Sequence, residues 1–325
     1  MPFKAFCLSI CCLFATLSAN AQNNFFEGQI TYSRTAHSTS AMSDKEIEDY
    51  LLPGITSVST LKNGNCYNQA TGHEEWIIPK EKRAYYKFPK LDTLYYIDFD
   101  SDTTTLLEVK KGEAPFAMLR HPCRSISLKT NGTERLFYYA IDLRENPEHS
   151  KDNTIGKQNL YARESNGGIA LWKKTTFTRF GYGIDSATNI KAIAVDDHVF
   201  DRPDLPLKKY DEKELIASPT FPAGSKAWMN YINHNINTSV GAKYIKLKRK
   251  QTEAQAKVNV SFAVEIDGTV SEVAVSGDTK GIHPKVIEEA LRVIRESPRW
   301  IPGVAFGEKC RMHNFQPIIF QVAVE

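Results

Sequence analysis

Residues 257–276 read KVNVSFAVEIDGTVSEVAVS and residues 281–303 read GIHPKVIEEALRVIRESPRWIPG. In the first stretch Val258, Val260, Phe262, Val264 and Ile266 occupy alternate positions, which places them on one face of a strand. Asp267 and Gly268 supply a turn into a second strand that carries Val273 and Val275. In the second stretch His283 and Pro284 open a helix, where proline at the first turn gives up no hydrogen bond. Val286, Ile287, Ala290, Leu291, Val293 and Ile294 recur at helical spacing. Ser297 ends the run, because Pro298 disfavours an α conformation in the residue before it. A helix packed on a hairpin is the expected unit.

Working outward, residues 221–236, FPAGSKAWMNYINHNI, form a short amphipathic helix, and residues 315–324, FQPIIFQVAV, a last strand. In that strand Ile318, Phe320, Val322 and Val324 alternate as the buried face, and Pro317 marks a sheet edge. Backbone groups of alternate residues point to the same edge, so Ile319, Gln321 and Ala323 share the open side with Pro317. The order helix, hairpin, helix, a link holding Pro298, Trp300, Pro302 and Gly303, and final strand resembles the C-terminal domain of TonB. That domain is the periplasmic end of the protein linking inner-membrane energy to outer-membrane receptors in Gram-negative bacteria. The resemblance covers residues 221–325. It departs from the family at Asn237 and Thr238, where Tyr-Pro is usual, at Ala256, where glycine is common, and in the longer, basic stretch 241–255. It implies binding by strand addition and no catalysis, with Pro317, Ile319, Gln321 and Ala323 as the partner-binding residues. The implied partner is a protein or peptide, such as a TonB-dependent outer-membrane receptor. TonB itself has a membrane helix and a long proline-rich spacer, which this sequence lacks, so an envelope adaptor in transmembrane transport is expected here and not an energy transmitter.

The region 22–207 reads as strand after strand: TYS, RAYYKF, TLYYIDF, RSISLKT, RLFYYAI, IALWKKTTFTRF and NIKAIAV are rich in aromatic and β-branched residues. Asn131-Gly132 signals a tight hairpin through a primed turn. SDKEIEDYLL, capped at Ser43 or Asp44 and stopped by Pro53, predicts one helix. The opening FFEGQITYS and the closing AVDDHVFDRPDLP are similar to exported curved-sheet proteins of the LolA and LppX type, which hold acyl chains in an unclosed barrel. A lipid or lipoprotein carrier is therefore the alternative function. The aromatic residues are also accounted for by an ordinary filled core. The expected class is α+β: an antiparallel half-barrel with a helix over 22–207, a proline-rich linker over 208–220, and the small α+β module over 221–325.

Lys4, the apolar run 5–17 and the small-residue site Ala19-Asn20-Ala21 predict a signal peptide, residues 1–21, cleaved between Ala21 and Gln22. Ile10 before Cys11 argues against lipidation. Export places the mature chain in the periplasm, with outer-membrane association open to it and no transmembrane anchor left after cleavage. It leaves Cys66, Cys123 and Cys310. Cys66 and Cys123 share one candidate domain and are the better disulfide pair; three unpaired buried thiols are the other reading. A net charge of +3 over 325 residues is mild, which argues against nucleic acid. No phosphate loop, nucleophile elbow or HExxH occurs, and His73-Glu74-Glu75 lacks the second histidine. Asp196, Asp197, Asp201 and Asp204 lack the order of a calcium loop. No catalytic residue, metal or cofactor is expected.

Overall fold

The structure, a computed structural model, describes residues 25–39, 56–177, 181–247 and 251–323. The leader with its Ala21-Gln22 site, the helix expected at 43–52, and Val324 lie outside the described residues.

Twelve strands form one sheet: β1 (Gly28–Ser38), β2 (Thr56–Lys62), β3 (Asn65–Gln69), β4 (Glu74–Ile78), β5 (Arg83–Lys87), β6 (Leu94–Asp98), β7 (Leu106–Met118), β8 (His121–Thr130), β9 (Thr133–Arg144), β10 (Gly168–Phe177), β11 (Gly181–Ala192) and β12 (Leu207–Lys209). Their spatial order is β12-β6-β5-β4-β3-β2-β1-β11-β10-β9-β8-β7. Every pairing is antiparallel except that of β12 with β6. One eight-residue helix, α1 (Gln158–Ser165), packs on this sheet through Tyr161, beside Phe137 and Tyr139.

The remainder carries α2 (Glu212–Leu215), β13 (Ile216–Ala217), α3 (Gly224–Asn235), α4 (Thr238–Tyr244), β14 (Glu253–Val264), β15 (Val270–Val275), α5 (Pro284–Arg295), β16 (Gly303–Ala305), β17 (Glu308–Cys310) and β18 (Met312–Ala323). β15, β14 and β18 make a three-stranded sheet in that order, and β13, β16 and β17 another. Val258, Val260, Phe262 and Val264 of β14 are wholly buried against Val286, Ala290, Val293 and Ile294 of α5. Ile266, expected on the same face, is 60% exposed, because β14 ends at Val264 and Ile266 sits in the turn. Asn237 caps α4, accepting from the Ser239 amide, and its own amide donates to buried Glu289 at 2.7 Å.

The α+β expectation is corrected: the chain is mostly β. The physical reason is continuity of backbone pairing. Strands not singled out in the sequence, β2, β3, β4, β7 and β12, extend the sheet to twelve, while the described helices run to no more than 12 residues. The hairpin at Asn131-Gly132 forms without positive φ at either residue; Thr130 Oγ1 organises it by accepting from the Gly132 and Thr133 amides. A two-residue primed turn lies instead at Asn63-Gly64, with φ of 51° and 79°, between β2 and β3.

Segment 208–220, expected as a linker, is ordered on both sides. β12 joins the large sheet, β13 pairs with β16, and Thr220 bridges to Ile301. Phe306 stacks on Phe88 with ring centroids 4.3 Å apart, in a cluster that also holds Tyr95 and Leu215. Among the described residues no helix is long and apolar enough to cross a membrane.

Candidate functional site

Strand β18 lies at an edge of its sheet and pairs on one side with β14 through a register without shifts, Glu253↔Ala323 to Val264↔Met312. The Asn259 carbonyl accepts from the Ser276 amide at 2.8 Å, so the backbone groups of Asn259 face the β15 side. Its partner across β18 is Pro317, which is therefore a non-hydrogen-bonded pair with its carbonyl directed to the outer edge. The period of two then turns the N–H and C=O groups of Ile319, Gln321 and Ala323 outward as well. Their side chains are exposed, while Ile318 and Phe320 are buried at 1% and 4%; Val322 is half-buried. Gln321 Nε2 donates to Glu253 Oε2 at 3.2 Å. Among the described residues no strand pairs with the outer edge of β18.

A second feature had no signal in the sequence. Strands β3 and β9 are five steps apart in the sheet, on the order of 24 Å along a flat one. Yet Asn68 of β3 and Phe137 of β9 line a single hollow of about 310 Å³, so the sheet curls around it. The wall mixes apolar side chains with charged and polar ones. Asp185 of β11 accepts from Arg34 Nε of β1 at 2.5 Å and pairs with Lys173 Nζ of β10 at 2.9 Å. Burial pushes the Asp185 carboxyl up, but Lys173 and Arg34 hold it below its ordinary value on balance. Asn68 Nδ2 donates to Glu75 at 2.7 Å. Tyr32 and Tyr161 donate to the carbonyls of Ala170 and Gly168, at 2.9 and 2.6 Å, and burial raises both phenols. Burial lowers the His73 imidazole, with Arg34 adding to the effect and Glu75 opposing it.

Glu145 lines the same hollow, just past the end of β9. Among the described residues its carboxylate has no hydrogen-bond or ion-pair partner, and burial lifts it to about 7. Its main-chain N–H donates a hydrogen bond to the Gly167 carbonyl at 2.8 Å. Gly167 has φ of 74°, and a Cβ there would lie 1.9 Å from the Glu145 carbonyl oxygen. The stretch around Glu145, LRENPEHS, reads as an ordinary polar loop. Only the curl of the sheet and the packing of α1 make this carboxyl half-buried in the hollow.

The expected Cys66–Cys123 disulfide is corrected: both thiols are free, as is Cys310. Cys66 lies on β3 and Cys123 on β8, strands six steps apart in the sheet that do not pair with each other. Each sulfur is instead buried in the row of apolar side chains that crosses the sheet through Leu61, Ile30, Leu171 and Ala140. Cys66 donates to Asn68 Oδ1 and Cys123 to the His121 carbonyl. In the acidic stretch, Asp196 caps the short turn Asp197–Phe200, Asp197 pairs with Lys62, and Asp201 with His198. Among the described residues no group of three His, Cys, Asp or Glu side chains could hold a metal ion.

No protein-family model matches the chain, and no curated protein matches it. Among solved structures it is similar to PNGF-II in two crystal forms, C2 and P21, at 13% and 14% identity and a TM-score of 0.37 in each. The likeness covers 75% of this chain but only 44% and 45% of those chains, so this chain spans under half of their length. A likeness of that degree carries no argument about function.

Proposed function

We propose that this protein is an exported binding or adaptor protein of the cell envelope, whose C-terminal module accepts an extended peptide from a partner along the outer edge of β18. The observation that carries the reading is that edge: Pro317, Ile319, Gln321 and Ala323 turn their main-chain groups away from β14, and no described strand takes them up. An added strand would find N–H donors and carbonyls at Ile319, Gln321 and Ala323, while the Pro317 carbonyl already accepts from Gln316 Nε2 at 2.9 Å. The exposed side chains of Phe315 and Ile319 beside them offer apolar purchase to alternate residues of such a peptide. A TonB-dependent receptor of the outer membrane is the partner class that the sequence resemblance supports, and periplasmic location follows from the leader read in residues 1–21.

The alternative, a lipid carrier, is supported less well by the hollow, because desolvating Arg34, Lys173 and Glu145 against an acyl chain carries a large penalty. The test is capture of envelope proteins by the tagged protein alongside its Gln321→Pro variant, followed by amide exchange on the complex. Protection gained at Ile319 and Gln321, with capture lost in the variant, is expected. Capture unaffected by Gln321→Pro sinks the reading, and copurifying acyl lipid found by native mass spectrometry favours the carrier.

A further inference from the structure

We infer that the hollow of the large sheet is a binding site for a small primary amine, with Glu145 as the group that takes the ammonium. The hollow is about 310 Å³, roughly the share of ten liquid waters and at the lower end of small-molecule sites. Its other carboxylates have partners: Asp185 is held by Arg34 and Lys173, and Glu75 accepts a hydrogen bond from the neutral Asn68 amide. The two phenols are committed to backbone carbonyls. Glu145 is the exception, a carboxylate in the wall with no partner of its own. A carboxylate that only accepts hydrogen bonds, half-buried in the wall of a hollow, is completed by a ligand that brings donors and positive charge. Leu61, Phe137, Ile169 and the rings of Tyr32 and Tyr161 supply apolar surface for a compact body attached to that amine.

The ligand cannot be an anion of the same size, since Glu145 would repel it while Arg34 and Lys173 already have a carboxylate between them. The site also responds to pH. Around Glu145 stand Tyr32 of β1, Cys66 of β3 and Tyr161 of α1, all raised by burial and so neutral near pH 7. His73 is lowered and Asp185 lies below its ordinary value, while Arg34, Lys173 and Glu75 complete the charged wall. Glu145 is thus the group here that changes charge between pH 6 and 8. With its pKa near 7 it is about one-tenth ionised at pH 6 and about nine-tenths at pH 8, which makes the apparent affinity for a cation about tenfold higher at the higher pH.

The experiment is calorimetric titration of the whole protein with benzylamine, benzyl alcohol and benzoate, three probes of one shape that differ in charge. Benzylamine should bind at pH 8, benzyl alcohol at least about tenfold more weakly, and benzoate not at all. Affinity for benzylamine should fall about tenfold at pH 6 and be lost to a similar extent in Glu145→Gln at pH 8, in protein still folded by circular dichroism. If benzylamine fails to bind, if benzoate binds as well, or if affinity is flat across pH and unchanged in Glu145→Gln, the inference is overturned. None of these outcomes involves β18, so they bear on the hollow independently of the peptide-binding reading.

Discussion

Replacing Glu289 by alanine should loosen the C-terminal module more than any single change on its surface. The side chain is only 7% exposed, on α5, and its carboxylate accepts from the Asn237 amide at 2.7 Å and from Arg292 Nη2 and Nε at 2.7 and 2.9 Å. Arg292 in turn donates to the Asn235 carbonyl at 2.7 Å, so one ionic contact fastens the junction of α3 and α4 onto α5. Losing the acceptor leaves the Asn237 amide unsatisfied, at about 1–3 kcal/mol, while Arg292 is exposed enough to recover much of its hydration. With the charge-assisted bonds gone the expected loss is about 3 kcal/mol at pH 7. Glu289→Gln keeps an acceptor for Asn237 and should cost about half as much. Arg292 and the Asn237 amide hold the Glu289 carboxyl below its ordinary value against the opposing effect of burial. Its contribution is therefore full above the unfolded value, about 4.3, and fades as pH falls through the lowered folded value. Native-state hydrogen exchange at the Val258 and Val293 amides reads this half of the chain separately from the large sheet. A loss below about 1 kcal/mol at pH 7, or a wild-type-to-glutamine difference that persists at pH 2, would refute the argument.

Glu145 should behave in the opposite sense. Its carboxyl is raised to about 7, so ionising it costs stability as pH climbs from about 4.3 through 7, and Glu145→Gln should stabilise the protein by roughly 1–3 kcal/mol at pH 8 and hardly at all at pH 4, as read by urea unfolding. In the free protein the amides of Ile319 and Gln321 should exchange with solvent far faster than those of Ile318 and Phe320, and equal protection by NMR would mean the outer edge of β18 is not open. Gly167→Ala forces a Cβ into the Glu145 carbonyl at positive φ and should cost at least about 2 kcal/mol in thermal or urea unfolding. Alkylation in denaturant without reductant should label Cys66, Cys123 and Cys310 alike, and an unlabelled Cys66–Cys123 peptide pair would restore the disulfide.

The alternation of Val258, Val260, Phe262 and Val264 and the helical spacing of Val286, Ala290, Val293 and Ile294 were legible because each records which face of one local element meets the core. Pro317 likewise announced an edge, since a missing N–H is a local property that a central strand cannot absorb. Nothing local told how far the sheet would run. β2, β3, β4 and β7 pair with their neighbours in sequence, but only the distant pairing of β1 with β11, as at Gly28↔Ala192, joins the two runs of strands into one sheet, and the added strands turned an expected α+β protein into a mostly β one. The same long-range order parted Cys66 from Cys123, which the sequence could place in one region but not on strands six steps apart. It also made Glu145 what it is. A carboxyl in a polar loop has an ordinary pKa by composition, and only the curl of the sheet, with Tyr32, Cys66 and Tyr161 brought around it, gives it the burial that raises it.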